Sequence, residues 1–137
     1  MRVLALDYGS ARCGCAVSDP TGTIVTPIAA VPHAGSRRGL RAITELVRDR
    51  AVELVVVGLP LSLQGDDTDQ TRESRAFARR LSQRLGEATP VEMHDERFTT
   101  RIAHEMEGPF AECEDSRAAA VLLESWLRTR APQRGSR

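Results

Sequence analysis

The chain has no lysine: all nineteen of its lysine-plus-arginine residues are arginine. Its permanent side-chain cations are therefore planar forks matched to phosphate oxygens, not point charges. Net charge is formally zero, which argues against a protein that coats nucleic acid indiscriminately and leaves such binding to local patches. The distribution is uneven, with seven Arg against four acids in residues 1–50, eight against fifteen in 51–127, and four against none in 128–137. No apolar run approaches the roughly 18 residues of a membrane span. Met1-Arg2 leads only into a short apolar segment ended by Asp7, so no signal peptide is expected and a cytoplasmic location follows. Cysteine is scarce and odd in number, three in all. Cys13 and Cys15 would share one side of a strand, as small buried hydrophobes do, and no His or further Cys lies close enough to make a Cys-x-Cys metal site. There is no internal repeat and no linker. At 137 residues, the expectation is one domain over 1–130 and a short basic tail, 131–137, that is disordered.

The stretch that organises the rest is at the beginning. Val3 to Leu6 reads as a buried strand delivering Asp7, and Gly9 and Gly14 bracket a tight reversal into a second strand, Cys13 to Val17, which alternates with period two. Glycines there let a phosphate or a metal come close to the backbone. Asp19-Pro20-Thr21-Gly22 then turns the chain into a third strand, Thr23 to Val31, completing an antiparallel meander. Ser36 caps a helix with Leu40, Ile43, Leu46 and Val47 inward and Arg37, Arg38, Arg41 and Arg48 largely outward. The β-branched run Val52 to Val57 is a strand of the kind buried on both faces, ending in Gly58-Leu59-Pro60.

A second helix is expected from about Thr68 to Leu85, with Phe77, Leu81 and Leu85 inward and Gly86 as its C-cap. Arg72, Arg75 and Arg79 share one of its faces, either an ordinary solvated face or a stripe that tracks phosphates. Pro90 to His94 is the fifth strand and runs into Asp95-Glu96-Arg97. Thr99 or Thr100 caps a short helix ending near Gly108-Pro109, and Asp115 begins a last helix. The resulting α/β order makes strands one, four and five parallel, with the meander beyond strand one. Ligands bind at the carboxyl ends of strands where such connections diverge.

Three acids fall at those ends: Asp7, Glu96 with Asp95 beside it, and Asp115. Singly they could be a turn residue, a surface charge and an N-cap. Converging in one cleft, they would repel unless a hard cation such as Mg²⁺ or Mn²⁺ neutralised them. Small residues at Ala118 to Ala120 would let the last helix approach. His94 reads as packed rather than as a proton shuttle.

The motifs Asp7-Tyr8-Gly9-x-x-Arg12-x-Gly14-x-Ala16-Val17-Ser18-Asp19, Val57-Gly58-Leu59-Pro60-Leu61 with Gly65, His94-Asp95-Glu96-Arg97-Phe98-Thr99-Thr100, and Asp115-Ser116-x-Ala118 through Leu127 together resemble the YqgF family. These are ribonuclease H-like nucleases, described as pre-16S rRNA nucleases or Holliday-junction resolvase-like proteins. The resemblance covers residues 2–128. It implies a ribonuclease H-like, five-stranded mixed sheet, three-strand meander plus two parallel strands, with helices on both faces. It also implies a metal-dependent nuclease in which Asp7, Glu96 and Asp115 are catalytic and ligate Mg²⁺ or Mn²⁺. The substrate-binding set expected beside them is Gly9, Arg12, Gly58, Pro60, Asp95 and Arg97, with Arg72, Arg75 and Arg79. The substrate implied is the 5′ end of 16S rRNA precursor, or else a branched or single-stranded DNA. Junction resolution would call for a homodimer, end trimming only a monomer.

Two features depart from the family pattern and bear on substrate grip: the short acidic connector Glu107 to Glu114, and Ser62 where Asn is usual. Two other classes compete. Actin-like and sugar-kinase-like ATPases open with the same Asp-x-Gly hairpin but need a second lobe. A non-catalytic ribosome-assembly module would gain nothing from converging carboxylates.

Overall fold

The computed structural model describes residues 1–99, 102 and 115–135. A five-stranded sheet runs in the order β3-β2-β1-β4-β5, built from β1 (Val3–Asp7), β2 (Arg12–Ser18), β3 (Val25–Pro32), β4 (Leu54–Leu59) and β5 (Val91–Asp95). The meander is antiparallel, while β4 pairs parallel to both β1 and β5. The expected sheet is the one observed, because a two-turn meander and two helical crossovers leave little choice of neighbour.

Strand ends differ in detail. β4 was expected to close at Val57 but continues through Gly58 and Leu59, which pair with His94 and Asp95. Glycine tolerates a strand as readily as a turn, and the partner strand decides. That extension carries Gly58 to the upper rim of the sheet, beside the acids.

Period-two alternation divides the strands between two cores. Leu4, Leu6, Val55 and Val57 pack under α1 (Arg37–Asp49) and α2 (Asp69–Leu85), against Ile43, Phe77 and Leu81. Val3, Ala5, Ala16, Leu54 and Val56 face α3 (Arg117–Gly135), meeting Ala119, Ala120, Leu123 and Trp126. Fully burying such an aliphatic side chain contributes about 1.5–3 kcal/mol. Cys13 and Cys15 are buried together in the first core, as free thiols.

Local chemistry fixes the helix starts. The Ser36 side chain accepts from Gly39 N, and Thr68 with Thr71 forms a reciprocal capping box. Thr71 is itself buried and donates to the Pro60 carbonyl at 2.6 Å, tying the loop after β4 to α2. Gly86 ends α2 at φ 70°, a conformation that favours glycine.

The last helix starts at Arg117, two residues after Asp115, and runs to Gly135. That takes helical backbone five residues into the stretch expected to be a disordered tail. Two i, i+4 pairs favour its continuation, Arg128 with Glu124 at 3.5 Å and the Arg130 guanidinium 4.6 Å from the Trp126 ring centre. The helix expected to end near Gly108-Pro109, the acidic connector and residues 136–137 lie outside the described residues. Among the described residues no helix is long and apolar enough to cross a membrane.

Candidate active site

Strand parity brings Asp7, Gly58 and Glu96 to one side. Asp7 follows Val3 and Ala5 in pointing toward α3, and Gly58 follows Leu54 and Val56. On β5, Glu92 accepts from Trp126 Nε1 and His94 bonds Ser125 Oγ at 2.8 Å, so this parity faces α3 as well. Glu96 opens a 3₁₀ turn, Glu96–Thr99, directly after the strand. A cavity of about 380 Å³ results, lined by Asp7, Glu96, Thr99, Arg117, Ala118, Val121 and Leu122.

Both carboxyls are held above their ordinary range. Burial holds Asp7 above its ordinary range. Burial, then the charge of Asp7, then that of Asp95, push Glu96 up to about 7. A Cβ on Gly58 would overlap Glu96 Oε2, so the absence of a side chain there is what lets the Glu96 carboxyl lie over β4.

Asp115 takes a different place from the one expected. Its backbone carbonyl packs so closely on Gly14 that a Cβ there would overlap it, and Gly14 is the register partner of Asp7. Ser116 pins this junction, accepting from Cys15 N at 3.0 Å and donating to the Ile28 carbonyl at 2.5 Å. The Asp115 carboxylate, however, accepts from Arg12 Nη1 at 2.8 Å and is 55% exposed. The structure therefore brings two of the three carboxylates together and holds the third at the margin, on Arg12. Among the described residues no three His, Cys, Asp or Glu side chains form a group able to hold a metal.

The expected substrate contacts divide similarly. Gly9 makes the β1–β2 turn tight, since a Cβ there would lie 2.7 Å from the Arg12 carbonyl. Pro60 anchors its loop through Thr71. Arg97 is spoken for: its fork grips Asp95 with Nε at 3.1 and 3.0 Å and Nη2 at 2.6 Å, holding the Asp95 carboxyl below its usual range. Arg97 Nη1 also reaches the Leu63 carbonyl at 3.4 Å, and its guanidinium lies against Gly65, whose φ is 90°. This pair staples the loop after β4 to the end of β5. Ser62 serves the same loop, its Oγ accepting from Asp66 N at 3.0 Å.

On α2 the stripe is broken up. Arg72 pairs with Asp69, and Arg75 takes Asp67 through Nε and Nη2 at 3.2 and 3.1 Å, leaving Arg79 alone of the three without a carboxylate among the described residues. His94 is buried with its pKa lowered by burial, which agrees with a packed residue. Thr99, Val121 and Leu122, which the motifs include without a role in the site, line the cavity together with Arg117. Arg117 stands at the unassigned position of Asp115-Ser116-x-Ala118, where helical periodicity alone gives no sign of its neighbour across the sheet.

A mixed sheet in this order, with acids at the carboxyl ends of β1 and β5 and a helix across that face, defines a ribonuclease H-like fold. Solved structures share it. The Thermus thermophilus RuvC structure aligns with a TM-score of 0.58 at 14% identity, covering 94% of this chain and 96% of that one. The fowlpox virus resolvase, solved with its substrate Holliday junction DNA, aligns at 0.58 and 12% identity over 94% and 98%. The chain belongs to the RuvX family, described as Holliday junction resolvase, which it matches over residues 1–129. Among its curated relatives is an Anaeromyxobacter dehalogenans protein, 39% identical over 139 residues, with 96% of this chain and all of that one covered. Another is from Koribacter versatilis, 36% identical over 94% of this chain and 88% of the relative. Both carry the name "Putative pre-16S rRNA nuclease". The motif resemblance and the family match agree: this is a member of a family of nucleases, phosphodiester hydrolases by class.

Proposed function

We infer that this chain hydrolyses phosphodiester bonds of nucleic acid at the Asp7–Glu96 cavity, with the 5′ end of 16S rRNA precursor, a cytoplasmic RNA, as the substrate. The observation that carries this reading is the pair itself. Two carboxyls at strand ends on either side of β4 are held above their ordinary pKa range, Asp7 by burial and Glu96 by burial and the charges of Asp7 and Asp95. Such an arrangement costs stability and suits a site that awaits a counter-charge.

The donor set fits a hard divalent cation. Its oxygens are carboxylates, Gly58 leaves room over β4, and the buried thiols of Cys13 and Cys15 belong to the opposite core. Asp7 and Glu96 would hold Mg²⁺ or Mn²⁺, joined by Asp115 once Arg12 releases it. Bound there, the ion would supply an activated water and charge stabilisation for an in-line displacement at phosphorus. Arg12, released in turn, has the fork geometry to take a phosphate oxygen. Arg117 contributes positive charge at the cavity wall, and Arg97 keeps the β4–α2 loop in place at the rim.

A second reading is favoured by the family description and by the junction-bound resolvase that shares the fold: cleavage of a four-way DNA junction by a two-fold dimer. One assay separates the readings. Matched single-stranded RNA, RNA carrying a 5′-extended 16S end, single-stranded DNA and a four-way junction are offered with Mg²⁺, Mn²⁺ or chelator. Metal-dependent trimming of the extended RNA is expected. Preferential cutting of the junction would transfer the assignment to DNA, and equal cutting of every substrate in chelator would remove the carboxylate site.

A further inference from the structure

Four arginines without a carboxylate partner among the described residues stand where α1 and α2 meet. On α2, Arg80 and Arg84 are four residues apart and share a flank. Arg80 Nη2 donates to the Gly35 carbonyl, just ahead of the Ser36 cap, so this flank is the one beside α1. On α1, Arg37 and Arg41 are likewise four apart, and Arg37 stands two residues after Gly35. All four are exposed. Among the described residues none of the four has an ion pair, although Glu45 lies one turn beyond Arg41 and Glu73 two turns before Arg80. The contrast with the opposite flank of α2 is direct, since Arg72 and Arg75 are each met by an aspartate.

The placement of Arg37 serves nothing in the helix. It occupies the first helical position, where the dipole disfavours a cation, and the first turn holds no acid. The cluster also connects with the cleavage site. Tyr8 follows Asp7, stacks on Phe77 of α2 at 4.4 Å between ring centres, and has its hydroxyl about 2.9 Å from where a Cβ on Gly35 would sit, with Arg80 Nη1 about 3.6 Å from the same point. The rim of the sheet thus runs from Asp7 over Tyr8 to the head of the furrow.

We propose that the furrow between α1 and α2, lined by Arg37, Arg41, Arg80 and Arg84, binds the phosphate backbone of the nucleic acid beyond the cleaved bond. The substrate crosses the upper rim of the sheet, its scissile phosphate on the α3 side and its flanking backbone on the α1–α2 side. Unpaired planar forks in a row are suited to successive phosphates and carry no base preference. This inference rests on the nuclease reading above and adds a surface to it.

The test is binding of a fluorescently labelled 30-nucleotide single-stranded RNA to the full chain in chelator, across a series of salt concentrations. The variants are Arg37→Gln/Arg41→Gln/Arg84→Gln, which spares the Arg80–Gly35 bond, the same set with Arg80→Gln added, and Arg72→Gln/Arg75→Gln as the acid-paired comparator. Thermal melting checks that each is folded. The triple variant should bind at least about tenfold more weakly at low salt. Its slope of log K against log salt should be shallower by about 2, from roughly 0.7 per lost single-strand phosphate contact. The comparator should change little. Unchanged affinity and slope in a folded triple variant, or an equal loss in the comparator, overturns the furrow. If the parent still binds and cleaves RNA in that case, the nuclease reading stands; a parent that neither binds nor cleaves removes both.

Discussion

Replacing Glu96 by glutamine should stabilise the metal-free protein at pH 8 and leave its stability at pH 4.5 nearly unchanged. In the folded chain the Glu96 carboxyl is pushed from its ordinary 4.5 up to about 7, by burial first and then by Asp7 and Asp95. The folded state therefore holds this proton more tightly than the unfolded chain does. Its stabilising effect is complete below about pH 4.5 and is lost as pH rises through about 7. The difference, 7 − 4.5, corresponds to about 3 kcal/mol at roughly 1.36 kcal/mol for each pH unit. The carboxyl opens onto a cavity, so solvent screening reduces this to about 1–2 kcal/mol. Glutamine keeps the shape that lies over Gly58 and carries no titrating proton. Urea unfolding of both proteins in chelator, from pH 4.5 to 8, is the assay. The parent should lose about 1–2 kcal/mol more than the variant over that range, while Asp7 contributes its own pH dependence to both. With Mn²⁺ added at pH 8 the order should reverse, because the parent gains binding free energy by linkage and the variant gains less. Parallel pH profiles, or an equal response to Mn²⁺, would refute the argument that Glu96 is a buried, charge-crowded ligand.

Other residues give independent tests. Gly58→Ala places a methyl where Glu96 Oε2 now lies; because the end of a flexible side chain can move aside, stability should change by less than about 1 kcal/mol while Mn²⁺ affinity by calorimetry and cleavage both fall. Gly14→Ala instead meets the rigid backbone of Asp115 and Ser116. It should cost about 1–3 kcal/mol in urea unfolding, and a neutral result would mean that α3 does not start against β2. Arg12→Gln frees Asp115 from an exposed ion pair worth about 0–1 kcal/mol, so Mn²⁺ should bind more tightly even as RNA affinity drops; weaker Mn²⁺ binding would show that Arg12 does not compete for that carboxylate. Asp115→Asn should abolish metal-dependent cleavage with little change in chelator stability, and normal cleavage with an unchanged Mn²⁺ response would leave Asp115 a junction residue only.

Much of this protein is written locally. The apolar runs Val3–Leu6 and Val52–Val57, the alternation of Cys13–Val17, the Pro-Gly turn after Asp19, the caps at Ser36 and Thr68 and the glycine after Leu85 act within a few residues, so they fix element order without reference to the rest of the chain. From that order, the parallel placement of β1, β4 and β5 follows, and with it the positions of Asp7 and Glu96 at strand ends on either side of β4. Tertiary structure decided what each charge does there. Glu96 enters the cavity because Gly58, 38 positions earlier in sequence, has no side chain to exclude it. Asp115 lies beside Asp7 in backbone yet turns its carboxylate to Arg12, 103 residues away, because a nearby guanidinium offers a counter-charge that a second carboxylate does not. The spacing of Arg72, Arg75 and Arg79 is visible in the sequence as a stripe; its neutralisation by Asp69 and Asp67 is not, since side chains of a helix and its preceding loop meet only when both are folded. For the same reason the unpaired set, Arg37, Arg41, Arg80 and Arg84, has no sequence signature: periodicity gives the face of one helix, and only packing gives the face of the next.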